Sequence, residues 1–401
     1  MRRLKWLLTV SLLAGCASLE PFDCADVASQ LRGVVKVEGS TPERYIVVLK
    51  KDPGAGSGAG PQVAATPEAA AALTSSFAIS NVKTFGAMRV LSATMEKKTA
   101  RQLAKDPMVA FVQEDGIKSV GPRAGTEDVS SWGLDRSDQR QLPLDDVYEP
   151  GATGAGVHVY VLDTGVDVSQ AEFAGRIGEG FSSQPGGFGD DHGHGTHVAG
   201  TVGGTEFGIA KAVIIHPVRV LRNGTGNDSD VIEGIEWATA NRQANGWPGV
   251  ANMSLGGSVA PAIDTAVCRS LETGLAHAIA AGNDSGQACD KSPARVQQAV
   301  TAGATARNDR RASFSNYGLC VDVFGPGVDI RSARRGSGSQ VFSGTSMASP
   351  HVAGVMALCA ERHPGSDPAA LKACVVDHAT PGVVGSPGKD SPNLLLYAKE
   401  D

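Results

Sequence analysis

Val157-His158-Val159-Tyr160-Val161-Leu162 runs without a break into Asp163-Thr164-Gly165. The run is short, apolar and rich in β-branched and aromatic side chains, which predicts a buried strand. Asp163 then stands at the strand's C-terminal end. Similar apolar runs predict strands at Val213 to Leu221, Val250 to Met253, Leu275 to Ala280 and Ala299 to Ala302. Helices fit at Asp230 to Gln243, Pro261 to Thr273, Met347 to Arg362 and Pro368 to His378. Alternation of this kind implies right-handed crossovers and a mainly parallel sheet covered on both faces. The expected fold class of residues 128–401 is therefore α/β, in three layers. Open sheets of this type place their sites beyond the carboxyl ends of the strands, the edge at which Asp163 sits.

The 401 residues, 41% of them hydrophobic, suffice for more than one folded unit. Fifty glycines and only 5% aromatic residues suit tight turns and close helix-to-sheet contacts better than a helical bundle. A net charge of -6 lacks the basic footprint of a nucleic-acid binder. At the start, Arg2, Arg3 and Lys5 precede an apolar run from Leu7 to Ala14, which predicts a secretory signal over residues 1–16. The run is shorter than the ~20 residues a membrane span needs, so export is expected. Leu13-Ala14-Gly15-Cys16 also resembles a bacterial lipobox, in which Cys16 would carry lipid and anchor the precursor to a membrane. Ordinary cleavage near Ala17 is the other reading.

Acyl transfer to water needs a nucleophile, a base, a group that orients the base, and donors for the oxyanion. His194 lies in Asp191-His192-Gly193-His194-Gly195-Thr196-His197, at the entry to a small-residue helix. Three histidines at this spacing invite a zinc reading, but Thr196 stands where an aspartate is usual in that motif and no further ligands are evident. Ser346 lies in Phe342-Ser343-Gly344-Thr345-Ser346-Met347-Ala348-Ser349-Pro350-His351, where a glycine turn opens into an apolar helix. Helix N-termini favour developing negative charge. Asn283 follows Ala278-Ile279-Ala280-Ala281-Gly282 and offers an amide donor at the same edge. Singly, each residue has a plainer explanation: a loop aspartate, a helix-capping serine, a turn asparagine.

In the order Asp163, His194, Asn283, Ser346, with these surrounding motifs, the chain resembles the subtilisin family of serine peptidases. Trp132-Gly133-Leu134-Asp135 and Ser313-Phe314-Ser315-Asn316-Tyr317-Gly318 resemble its proteinase K and aqualysin branch. The resemblance implies a secreted, monomeric endopeptidase acting on polypeptides. Ser346 would be the nucleophile, His194 the base, Asp163 its orienting partner and Asn283 an oxyanion donor, with no catalytic metal. It further implies that Gly224, Thr225 and Gly226 on one side, and Ser254, Leu255, Gly256 and Gly257 on the other, clamp an extended peptide. Leu255-Gly256 and Ala280-Ala281-Gly282 would wall a pocket roomy enough for apolar or aromatic side chains. Asp228 departs from the aromatic residue common nearby, which leaves the outer subsites open.

Residues 43–118 carry strand patterns at Tyr45 to Leu49, Met88 to Met95 and Val109 to Gln113, a helix pattern at Lys98 to Lys105, and a Gly-, Ala- and Pro-rich insert from Pro53 to Ala72. This small α+β layout resembles the family's propeptide, an intramolecular chaperone and inhibitor. Ser119 to Asp128 is expected to be an exposed linker where processing falls. The resemblance also implies structural calcium at Asp322 with the carbonyls of Gln297 and Ala299, and a second ion at Asp135, Asp138, Gln139 and Asp145. Of seven cysteines, Cys289 and Cys320 match a bridge of the aqualysin-like relatives. Cys359 and Cys374 are a further candidate pair, Cys268 is left over, and Cys16 and Cys24 fall in the discarded region. If Cys16 is lipidated, the expectation is that processing frees a soluble enzyme from its anchor.

Overall fold

The computed structural model describes residues 20–26, 31, 33–50, 67–121, 123–124 and 132–400. The signal with Cys16, most of the insert, and residues 122 and 125–128 of the linker lie outside the described residues.

The first unit is a five-stranded sheet of β1 (Val34–Val35), β2 (Arg44–Leu49), β3 (Ser80–Phe85), β4 (Val90–Thr94) and β5 (Val109–Glu114), in the order β1-β5-β2-β4-β3. Helices α1 (Pro67–Ser76) and α2 (Lys97–Leu103) belong to it. Alternation along β2 explains how it sits. Tyr45, Val47 and Leu49 pack with Leu73 of α1 and with Ala100 and Leu103 of α2. Ile46 and Val48 turn the other way, into a core shared with the main domain. A strand buried on both faces reads as one apolar run, hence its legibility in the sequence. β3, largely exposed and polar, was not anticipated, and β1 lies upstream of residue 43.

Three short elements follow: β6 (Ile117–Ser119), β7 (Arg123–Ala124) and α3 (Trp132–Ser137). The main domain then alternates through β8 (His158–Asp163), β9 (Phe181–Ser182), α4 (His194–Gly203), β10 (Ile214–Arg219), β11 (Thr225–Asn227), α5 (Asp228–Asn245), β12 (Gly249–Met253), α6 (Pro261–Glu272) and β13 (Ala276–Ala280). It closes with β14 (Val300–Thr305), β15 (Val323–Pro326), β16 (Ile330–Ala333), β17 (Ser339–Ser343), α7 (Thr345–Arg362), α8 (Pro368–His378), β18 (Thr380–Pro381) and β19 (Leu394–Leu395).

Nine strands form one sheet in the order β18-β19-β15-β14-β13-β12-β8-β10-β9, parallel throughout except at the β18–β19 edge. The three-layer α/β expectation holds. Val159 and Val161 of β8 join a core with α4 and α7, while Tyr160 and Leu162 join a second core with α5 and α6. Helix α7 is buried from Thr345 to Ala360, as befits a helix that is apolar on every side. With β10 and β12 flanking β8, the sheet order reverses at β8. A crevice forms at such a switch point, beyond the strand ends.

The disulfides correct one expectation. Cys289–Cys320 and Cys359–Cys374 are bonded, and so is Cys24–Cys268. Cys268 is thus not left over, and Cys24 is not confined to a detachable leader. Residues around Cys24 dock on the main domain: Phe22 N–H donates to Arg295 O at 2.7 Å, and Cys24 N–H to Gln298 Oε1 at 3.1 Å. Too short for any periodicity, this segment gave no sign of its docking. The expectation that cleavage in the linker frees the main domain outright is overturned, because this bond joins the two sides of any cut made there. Among the described residues no helix is long and apolar enough to cross a membrane.

Candidate active site

Asp163 ends β8 and His194 begins α4, so the sheet edge and a helix start bring them together. His194 Nδ1 lies 2.7 Å from Asp163 Oδ1, and both side chains are fully buried. A nitrogen facing a carboxylate carries the proton, which leaves the lone pair on Nε2. That Nε2 is buried and has no hydrogen-bond partner among the described residues. The close approach of α4 to the loop after β8 requires glycine at 195, since a Cβ there would collide with Gly165 O.

Asp190, which the sequence reading missed, ties this corner down. Its carboxylate accepts from Thr164 Oγ1, from the backbone N–H groups of His192, Gly193 and Thr196, and from Thr196 Oγ1. An acid at the start of a helix satisfies orphan N–H groups there, and its place just before the histidine cluster was the available signal. His197 is otherwise engaged, with Nε2 3.0 Å from Ile330 O. Burial pushes its pKa down to about 3. The His192 ring meets that of His194 edge-on, 6.3 Å between centroids.

Ser346 sits in the first turn of α7. Its hydroxyl donates to Ser254 O at 3.1 Å, while Ser254 Oγ donates to Ser346 O at 2.9 Å, so the start of α7 and the loop after β12 clasp each other. Asn283 is oriented by Thr345, whose N–H and Oγ1 both donate to Asn283 Oδ1, at 2.8 and 2.9 Å. Its Nδ2 is thereby turned outward, 3.4 Å from Gly121 O.

That contact reveals what lies in the cleft. Residues 119–121 and 123–124, expected as exposed linker, contact the main domain, with Ser119 and Gly121 still exposed. β6 runs antiparallel to β11, with Ser119 opposite Thr225 and Lys118 opposite Gly226. Ser119 also exchanges two backbone bonds with Gly256, and Val120 N–H donates to Gly224 O at 3.0 Å. β7 pairs with β17, Arg123 opposite Ser343. The chain's own segment is thus threaded between the two edges that the sequence marked, with the Gly121 carbonyl presented to the amide donor. Periodicity could not show this, because the partners are remote and the segment is short.

A cavity of about 290 Å³ opens beneath, lined by Leu255, Gly256, Gly257, Ala280 and Gly282, with Asn283, Thr345 and Ser346 at its head. Ala281 does not line it; its carbonyl accepts from Asn316 Nδ2 at 2.9 Å. Two charged residues that were not foreseen stand on its wall, Asp284 and Lys291, paired at 2.6 Å.

The oxygens expected to hold calcium at Asp322 do converge, but on an ammonium. Lys372 Nζ lies 2.6 Å from Gln297 O, 2.8 Å from Ala299 O and 2.6 Å from Asp322 Oδ1. These residues do not fit a metal while Lys372 fills their centre, which corrects the expectation. The N-terminal loop differs. Asp135 accepts from the N–H groups of Asp145 and Asp146, and Asp145 from that of Val147. Asp138 Oδ1 and Gln139 Oε1 are buried acceptors with no partner. Unsatisfied buried oxygens of this kind suit a hard cation, and the ammonium nearby, Lys399 Nζ, stands 3.3 Å from the other Asp138 oxygen, Oδ2, without filling the site.

Residues 154–393 match the model of the subtilase family. The chain is 43% identical to an extracellular serine proteinase of Thermus sp. (strain Rt41A), an alignment covering 98% of both chains. It is 45% identical to alkaline serine exoprotease A of Vibrio alginolyticus, over 77% of this chain and 58% of that one. A cold-adapted subtilisin-like serine proteinase of known crystal structure superposes with a TM-score of 0.65 at 46% identity, covering 67% of this chain and 98% of the other.

Proposed function

We propose that this chain, which belongs to the subtilase family and is a serine-type endopeptidase, is exported as a precursor and cuts polypeptides through Ser346, His194 and Asp163. The observation that carries the reading is the 2.7 Å contact from Asp163 to His194, which leaves Nε2 unpaired at the same sheet edge as Ser346. His194 Nε2 takes the hydroxyl proton as Ser346 Oγ attacks the scissile carbonyl, then passes it to the leaving amine. Water, activated by the same imidazole, hydrolyses the acyl-enzyme. Asn283 Nδ2 and the Ser346 N–H stabilise the oxyanion.

Residues 128–401 form the peptidase domain, and the unit at 43–118 is its inhibitor and folding aid. The threaded segment supports that role, with the Gly121 carbonyl 3.4 Å from Asn283 Nδ2. Small residues walling the cavity favour large apolar or aromatic side chains at the attacked residue. The chain acts as a monomer outside the cell. Before processing, lipid on Cys16 would hold it at a membrane. Calcium bound by Asp135, Asp138, Gln139 and Asp145 would brace the loop after α3, a structural role and not a chemical one.

The test is wild type beside Ser346→Ala, reading precursor size and casein hydrolysis together. The wild type is expected to shorten and to clear casein, and the variant to remain full-length and inert. A variant that still matures and digests casein would sink the assignment.

A further inference from the structure

The segment seated in the cleft carries one side chain that the proposed chemistry does not use. Counting back from Gly121, whose carbonyl faces Asn283, Lys118 stands three residues earlier. Its side chain is completely buried, and its Nζ lies 2.6 Å from Asp228 Oδ1, which is equally buried. The aliphatic stem lies along Gly257: a Cβ on that glycine would come within 3.1 Å of Lys118 Cδ. The lysine therefore occupies a slot between the two strands that grip the backbone, with a carboxylate at its end. A second acid lies behind. Asp264 is fully buried, with Oδ2 accepting from Ser292 Oγ at 2.8 Å and lying 3.9 Å from Arg295 Nε, and with Oδ1 unpartnered among the described residues.

Asp228 belongs to the main domain and is fixed there as the first residue of α5, next to the capping box of Asn227 and Asp230. Its side-chain partners among the described residues, by contrast, all come from the precursor segment. Oδ1 accepts from Lys118 Nζ, and Oδ2 from Gln113 Nε2 at 3.0 Å and Gly116 N–H at 3.2 Å. When that segment leaves, the carboxylate loses all three donors while staying at the cleft wall. An arriving peptide that brings a cation restores the strongest of them. One that brings an apolar side chain leaves a desolvated charge unpaired, which is costly.

Resting on the proposed protease reading, we propose that Asp228 makes this enzyme select substrates with lysine or arginine three residues before the residue whose carbonyl is attacked. The substrate class is thus narrower than polypeptides with an apolar residue at the cut. Asp228 acts as a specificity-determining residue and takes no part in bond cleavage.

The test uses fluorogenic peptides that differ only at that position, carrying lysine, arginine, leucine or glutamate, with the processed enzyme and with Asp228→Asn, both in a Cys24→Ser background so that no bridge retains the leader in the cleft. Wild type is expected to cleave the lysine and arginine peptides with kcat/KM about 30-fold above leucine, the lower end for stripping one partner from a buried hydrogen-bonded charge pair. The glutamate peptide should be the poorest. Asp228→Asn should flatten the series while cleaving the leucine peptide at least as well as wild type does. Should Asp228→Asn fail to mature, the wild-type series decides alone. Equal cleavage of lysine and leucine peptides, or a preference for leucine, overturns the inference and leaves the protease standing. Failure to cleave any peptide instead removes the protease reading itself.

Discussion

Lys372 Nζ stands 2.6 Å from Asp322 Oδ1, closed in by the carbonyls of Gln297 and Ala299. An ammonium has three donors, and here each has its acceptor. Lys372→Met would leave Asp322 in place without its counter-charge. The expected loss is about 1–3 kcal/mol, below the range for wholly buried pairs, because Lys372 and Asp322 keep 23% and 20% of their side-chain surface exposed. Thermal unfolding of the Ser346→Ala precursor, which the proposed mechanism leaves unable to digest itself, checks this. Millimolar calcium should raise the melting temperature of the Lys372→Met form more than that of its parent. An equal response would mean that the three oxygens cannot take a metal even when vacated.

The loop after α3 should behave differently. Asp138 Oδ1 and Gln139 Oε1 lack partners, so a chelator is expected to lower the unfolding temperature of the precursor. Asp138→Ala should remove most of that response. Melting curves indifferent to the chelator would rule out an ion there.

Acidity should matter at the join between the two units. Burial pushes Asp115 up to about 6, against the pull of its hydrogen bonds to Ser229 and the nearby Arg44. A carboxyl raised above its ordinary value of 3.8 favours the folded precursor most below that value, and the contribution is lost as pH climbs through about 6. Asp115→Asn cannot titrate. The melting temperature of the parent minus that of Asp115→Asn should therefore fall between pH 4 and pH 7. A constant difference would show that Asp115 does not sense pH.

Cys24–Cys268 joins the first unit to the main domain. Processed wild-type protein should run as one band of precursor mass without reductant and as two fragments with it. Cys24→Ser should give two fragments in both lanes. Fragments that separate from wild type without reductant would mean that the bridge is absent from the mature protein.

Long apolar runs were legible because burial leaves a continuous signature. β8 and β12 were placed to within one residue at either end, and α8 matched at both ends. The candidate residues Asp163, His194, Asn283 and Ser346 stood out through motif order, since each lies at a strand's end, at a helix's start or in the turn after a strand along one edge. Hidden from the sequence were contacts between distant, short or polar pieces: Lys118 on Asp228, Asp190 under the histidine loop, and Lys372 among oxygens taken for a metal site. Asp228 was noticed only as a departure, because its partner lies 110 residues away. Polar β3 left no trace in the pattern, although it is a full strand of the first unit.

With the first unit in the inhibitory role proposed for it, a covalent link between leader and enzyme changes how latency responds to dilution. A free inhibitor drifts off as the protein spreads out, but one held by Cys24–Cys268 keeps the same local concentration however thin the solution becomes. Awakening of this enzyme would then follow the thiol content of its surroundings, or the destruction of the leader itself, and not the distance travelled from the cell.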